Sequence, residues 1–134
     1  MDKKDIEIQK EIFQSILFRN LERERAEKTI RSLNGKLRQY TKNEMIIQEE
    51  QELHEIGILI SGELCKGQYY PDGTEQMVQK LLPSYVVGLE IAISQKKTSP
   101  YSVYAVEEAS IFWFPVKYLE QEGYLPESDR IFLY

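Results

Sequence analysis

The stretch YVVGLEIAISQKKTSPYSVYAV, residues 85 to 106, brings together the side chains best suited to binding chemistry: a glycine-plus-carboxylate turn, a basic polar loop, then a strand-like run. Lys96 and Lys97 could meet a phosphate, since lysine is a flexible point charge, although QKKTSP reads first as a solvated loop tip. Tyr85, Tyr101 and Tyr104 suit an aromatic or apolar organic molecule, or simply pack a sheet. Other reactive candidates are few. The single cysteine, Cys65, forms no internal disulfide and supplies no structural zinc site by itself, so it reads as a small buried apolar residue of a strand. The only histidine, His54, falls in the polar connector EEQELHEIG and reads as a solvated loop residue. One imidazole does not make the multi-histidine metal site of an oxygenase or isomerase; no metal and no cofactor is expected.

The elements that must position this loop are legible in the periodicity. At 134 residues the chain is long enough for one domain with one core. Hydrophobic residues at 42% and charged residues at 29% are near globular averages. Apolar Ile8, Ile12, Phe13, Ile16 and Leu17 recur at helical steps, predicting a helix from Ile6 to about Phe18. A second helix is expected from about Leu21 to Leu33, with Ala26, Ile30 and Leu33 inward and Asn34-Gly35 as a left-handed stop. From Gly35 onward the runs KLRQYTKNEMIIQE, EIGILIS, GELCKGQYY, TEQMVQKLL, SVYAV and SIFWFP are short, β-branched and aromatic, with turn signals between them. About eight short strands predict a sandwich or barrel. The clearest hairpin is GQYYPDGTEQ, turning at Pro71, Asp72 and Gly73, and Gly62 marks a sharp turn or bulge. VKYLEQEGYLPESDRIFLY returns to helical character, broken by Gly123 and Pro126, with Ser128 capping a last helix that stops after barely two turns. Such a short helix is marginal alone, so the chain is expected to be a fragment of a longer protein.

In order and spacing these elements resemble the N-terminal effector domain of bacterial transcriptional regulators of the Crp/Fnr family, over about residues 12 to 134. The pieces that carry the resemblance are YTKNEMIIQEE, IGILISGEL with its Ile-x-x-Ile-x-x-Gly spacing, YYPDGTEQMVQKLLPSYVVG, and SPYSVYAVEEASIFWFP. The resemblance implies a mainly β fold: a double-stranded β-helix, or jelly-roll, cupin-like β-roll. The expected layout is N-terminal helices at about 5–33, the β-roll at about 36–116 and a truncated helical tail at about 117–134, all in one effector domain. In nucleotide-binding members the corresponding loop begins Gly-Glu and ends in an arginine a few residues before a Val-x-Ala strand; the carboxylate accepts from a ribose hydroxyl, and the guanidinium and backbone N–H groups hold the cyclic phosphate. Counting back from VYA at Val103 to Ala105, the arginine position holds Ser99 and the next holds Pro100, which also lacks a backbone donor. Counting forward from Gly88, the glutamate position holds Leu89, and Glu90 one place on faces the other way if the run alternates as a strand. The pocket candidates carried over by the resemblance are therefore Gly88, Leu89, Glu90, Ser99, Pro100, Tyr101 and Ser102, and cAMP is not the expected occupant.

What the resemblance implies is a small-molecule sensor, not an enzyme, that responds to an unidentified effector. In the full-length protein it dimerises through the helix starting near Ser128 and reaches DNA through a C-terminal domain absent from this chain. Two alternatives stay open: a ligand-free structural or dimerisation β-roll, and a stand-alone cupin. No apolar run approaches the ~18 residues of a membrane span, and MDKKDIEIQKEIF has no apolar core for a secretory signal, so a cytoplasmic location is the expectation. The charge is uneven: residues 1–36 carry a net +2 and the remainder a net −7. The mixed RNLERERAEK reads as a salt-bridged solvated helix face rather than a basic stripe. Because nucleic-acid affinity is dominated by phosphate neutralisation, this chain is expected to bind DNA no better than any acidic protein. A low-salt gel shift that weakens steeply with added salt would refute that.

Overall fold

The segment EIGILIS is apolar on both sides of the pleat, which is how a strand reads when it is covered on both faces. In the computed structural model, which describes residues 3–69, 72 and 74–121, it forms the third strand of two four-stranded sheets. In chain order the elements are α1 Lys3–Gln14, α2 Arg23–Ser32, β1 Lys36–Tyr40, β2 Met45–Ile47, β3 Glu55–Ser61, β4 Leu64–Tyr69, β5 Glu75–Leu81, β6 Val86–Val87, α3 Leu89–Ala92, β7 Ser102–Ala105, β8 Ala109–Pro115 and α4 Val116–Gln121. One sheet has the order β1-β8-β3-β6 and the other β2-β7-β4-β5. Neighbouring strands pair antiparallel throughout. This is the mainly β roll expected from the run of short strands.

Two apolar clusters share β3. Ile56, Ile58 and Ile60 join Ile12 and Phe18 of the N-terminal segment, Ala26 and Leu33 of the second helix region, and Leu89 and Ala92 of α3. Leu59, one step out of phase, faces Ile47, Leu64, Leu81, Val103 and Ile111 between the sheets. The period-two alternation of a strand thus serves a helix layer on one side and a sheet on the other. Strand β8 divides its side chains in the same way, with Phe114 toward the helices and Ile111 and Trp113 between the sheets. Each fully buried isoleucine or leucine contributes roughly 1.5–3 kcal/mol relative to exposure, so β3 and β8 carry much of the stability.

The helices depart from the periodicity in one place. α1 ends at Gln14, not near Phe18, because Ser15 turns the chain: its hydroxyl donates to the Ile12 carbonyl at 2.8 Å and its own carbonyl accepts from Phe18 N–H at 3.1 Å. Leu17 and Phe18 still reach the core, but Ile16, assigned by spacing to the apolar face, is 55% exposed. α2 ends as expected, with Leu33 as its cap and Asn34 left-handed at φ 55°. The β4–β5 hairpin pairs Leu64 with Leu81 through Tyr69 with Glu75. Of its turn, Pro71 and Gly73 lie outside the described residues, while Asp72 accepts from the Thr74 N–H and hydroxyl at 3.0 and 2.7 Å. Those bonds hold its carboxyl below the usual range. Gly62 turns β3 into β4 with φ 91°. The helical tail begins as α4, and the expected helix at Ser128, with Gly123 and Pro126, falls outside the described residues.

Gly57 shows how closely the layers fit. It pairs with Trp113 across the β3–β8 ladder, and a Cβ at this position would lie 2.6 Å from Ile111 Cγ2 and 3.0 Å from the Trp113 ring. The Ile111 methyl, with the indole beside it, rests where any other residue would place a side chain. Gly57→Ala is therefore expected to destabilise the fold by ~1–3 kcal/mol through overpacking, as measured by urea denaturation. An unchanged midpoint would show that Ile111 and the indole have room to move.

Candidate functional site

The loop between α3 and β7 is built by three local side-chain bonds. Gly88, with φ 81°, starts α3; a Cβ there would lie 2.4 Å from Leu53 Cδ2, so both the backbone angle and the close approach call for glycine. Ser94 accepts the Lys97 N–H on its hydroxyl at 3.0 Å and donates to the Ile91 carbonyl at 2.8 Å. Lys97 is left-handed at φ 55°, and its ammonium donates to the Ala92 carbonyl at 2.5 Å. The following residues then run alongside a distant segment: Leu53 N–H donates to the Lys97 carbonyl, Ser99 N–H to the Gln51 carbonyl and Glu50 N–H to the Ser99 carbonyl, at 2.7, 3.0 and 2.7 Å. The loop is pinned at its far end to residues 50–53.

This pinning creates an open depression of about 1100 Å³ lined by Glu49, Glu50, Glu90, Ile91, Ile93, Lys96, Lys97, Ser99 and Pro100, among others. A second hollow of about 550 Å³ shares Glu49 and Glu50 and adds Met45, Gln48 and Ser102. Of the residues singled out in the sequence, Glu90, Ser99 and Pro100 line the larger space and Ser102 the smaller; Gly88, Leu89 and Tyr101 stand behind them. Leu89 is in the helix-side core. Because 89–92 is a helical turn rather than a strand, Glu90 is exposed beside the depression by helical geometry, not by alternation. Glu49 and Glu50 had no signal of their own in the sequence; only the long-range pairing of 50–53 with 97–99 brings them in.

The lining carries charges of both signs. Ser99, at the position expected to hold the phosphate ligand, is 1% exposed and its hydroxyl donates to the Tyr101 carbonyl at 2.5 Å. Lys97 faces the carbonyl end of α3. Among the described residues no ion pair engages Glu49, Glu50 or Glu90, whose carboxylates share the lining with Lys96 and Lys97. The Tyr101 phenol donates to Glu90 Oε1, and the Lys66 ammonium lies 4.3 Å from the centroid of the Tyr101 ring. Burial first, and then the bond to the Glu90 carboxylate, push that phenol far above its ordinary range, so it stays a donor. Tyr85 is raised too, by burial and then by the charge of Glu90. His54 is on the surface beside Glu52 at 2.9 Å, and Cys65 is buried in β4. Among the described residues no group of three or more His, Cys, Asp or Glu could hold a metal, and no helix is long and apolar enough to cross a membrane.

An eight-stranded roll with a short helix and a loop between β6 and β7 is the architecture of the cyclic-nucleotide-binding fold. The chain belongs to the cyclic nucleotide-binding domain family, whose model matches residues 37–122. No curated protein matches it significantly. Among solved structures it is similar to the sensor domain of the transcriptional regulator DNR from Pseudomonas aeruginosa, at 20% identity over 99% of this chain and 84% of that one, with a TM-score of 0.74. It is similar to the regulatory domain of Toxoplasma gondii PKA crystallised with cAMP, at 20% identity, 90% and 45% coverage and a TM-score of 0.75. The catabolite activator protein of Thermus thermophilus matches at 17% identity, 81% and 51% coverage and a TM-score of 0.69. The chain spans between 42% and 57% of the length of four similar solved chains.

The Tyr101 shift has a testable sign. A phenol whose folded pKa lies above its ordinary value of 10.0 adds stability that is complete below that value and is lost above it, because the unfolded chain ionises first. Stability to urea is therefore expected to fall as pH rises past about 10, by up to ~1.4 kcal/mol per pH unit for this one group. Tyr101→Phe should flatten that fall, and an equally steep decline in the variant would assign it to other tyrosines.

Proposed function

We propose that residues 1–134 form the small-molecule-sensing domain of a Crp/Fnr-like transcriptional regulator whose effector is not cAMP. The observation that carries this reading is Ser99: buried, neutral, and donating its hydroxyl to its own loop where a guanidinium would have to stand. The family match and the likeness to sensor domains of transcriptional regulators support a sensory role. That the chain spans about half of several similar structures supports a longer parent. In that cytoplasmic parent, effector binding shifts the helix beginning near Ser128, the homodimer forms along that helix, and a C-terminal domain beyond Tyr134 binds DNA. The pocket is the larger depression, with Glu90, Ser99 and Pro100 at its wall and Gly88, Leu89, Tyr101 and Ser102 shaping it from behind and beside.

A charge-assisted contact to a cyclic nucleotide contributes ~1.5–3 kcal/mol, and with Ser99 in the place of the guanidinium the affinity is expected to fall by about one to two decades relative to a nucleotide sensor. Calorimetric titration with cAMP and cGMP should be flat at micromolar concentrations. A thermal-shift screen of uncharged and apolar metabolites should find a stabilising compound, and that compound should change the affinity of the full-length regulator for its operator. A clear micromolar isotherm with cAMP would overturn the reading.

A further inference from the structure

The three asparagines of the chain, Asn20, Asn34 and Asn43, are all exposed, and their fates are decided by the residue that follows each. An asparagine loses its amide when the next backbone nitrogen attacks the side-chain carbonyl carbon. That nitrogen must be free of a hydrogen bond and unshielded by a side chain of its own. After Asn20 the Leu21 N–H donates to the Phe18 carbonyl at 3.0 Å, and after Asn43 the Glu44 N–H donates to the Thr41 carbonyl at 3.1 Å. Both of these nitrogens are engaged. After Asn34 comes Gly35, half-buried, whose N–H donates to no carbonyl among the described residues, although backbone groups ordinarily find a partner. Asn34 itself is left-handed at φ 55°, just past the α2 cap, at the joint between the helix layer and β1. No residue with a side chain fits at 35: a Cβ there would fall 2.1 Å from Phe112 Cζ, so the ring packs against the glycine. The core demands glycine at 35, and that demand leaves the nitrogen beside Asn34 bare.

We propose that Asn34 is a site of spontaneous covalent modification in the folded chain, deamidating through a cyclic imide to aspartate and isoaspartate, and that the isoaspartate loosens the helix layer from the β-roll. Hydroxide takes the Gly35 N–H proton, the nitrogen bonds to Asn34 Cγ, the Cγ–Nδ2 bond breaks, and ammonia leaves with a proton from water. Water then opens the imide at one of its two carbonyl carbons. Opening at Cγ gives aspartate on an unaltered main chain. Opening at the Asn34 backbone carbonyl leaves Gly35 joined through Cγ and Cβ, which lengthens the main chain by a carbon. Leu33 is anchored in the helix-side core and Lys36 is paired with Trp113, so the added length is taken up at Gly35 and displaces it from the Phe112 ring. Aspartate adds the same charge without the added length, and it tolerates the left-handed angle.

The test is to age the native 134-residue chain at mildly alkaline pH and map its peptides by mass spectrometry. Amide loss at Asn34 should run about tenfold faster than at Asn20 or Asn43. An isoaspartate-specific carboxyl methyltransferase should label the peptide around residue 34 in the aged chain. The same peptide of aged Asn34→Gly should stay unlabelled, since glycine keeps the left-handed angle and has no amide to lose. Once separated by chromatography, the isoaspartyl form should unfold at a lower urea concentration than the unmodified chain, while Asn34→Asp, which carries the charge alone, stays close to it. The modification is overturned if Asn34 keeps its amide as long as Asn43 does, or if it reacts in urea but not in the native chain, because the fold would then hold the Gly35 nitrogen out of reach. An isoaspartyl form as stable as the unmodified chain would overturn the loosening.

Discussion

The double burial of β3 is the constraint on which the rest depends. A strand covered by helices on one face and by a second sheet on the other has no polar side to give away, so its sequence is fixed as a continuous apolar run with a glycine where the Trp113 ring lies across it. The helix that borders the larger depression is attached to this strand through its neighbour. β6 pairs with β3 at Gly57 and Ile58 and leads directly into Gly88 and α3. The Leu89 and Ala92 side chains of that helix insert among the β3 isoleucines, which leaves Glu90 outward. Core packing therefore decides where the Glu90 carboxylate stands.

The site loop illustrates the complementary rule that buried polar groups must find partners. Its hydroxyls and its inward ammonium are satisfied by the loop's own carbonyls: Ser94 on Ile91, Ser99 on Tyr101, Lys97 on Ala92. Among the described residues no buried side-chain nitrogen or oxygen is left without a partner. The rim of the depression carries Glu49, Glu50 and Glu90 together with the exposed Lys96.

Much of the architecture was legible because it follows from short-range pattern. EIGILIS, the Asn34 stop, the Gly62 turn and the eight strands rest on periodicity and turn chemistry. The end of α1 was not, because Ile16 and Leu17 continue the helical spacing while Ser15 offers the backbone a competing hydrogen bond. At the site, the absence of arginine and the place of Ser99 could be counted from Val103. The places of Glu49 and Glu50 beside the depression could not, since they depend on a backbone pairing between segments nearly fifty residues apart. The Tyr101–Glu90 bond lay hidden for a related reason: a tyrosine among packing tyrosines gives no sign of which hydroxyl will reach a carboxylate across the loop.

The seat of Trp113 over Gly57 has an optical consequence. The chain has one tryptophan, only 4% exposed, whose indole N–H donates to the Tyr40 hydroxyl at 2.7 Å across the β1–β8 sheet. Its fluorescence thus arises from one place, the dry seam between the sheets, where a hydrogen-bonded indole shielded from water emits toward the blue. Closure of the two sheets on each other is written into that single emission spectrum, while events at the surface depression reach it only by moving the strands. The protein carries its own internal gauge of β-roll packing without any label.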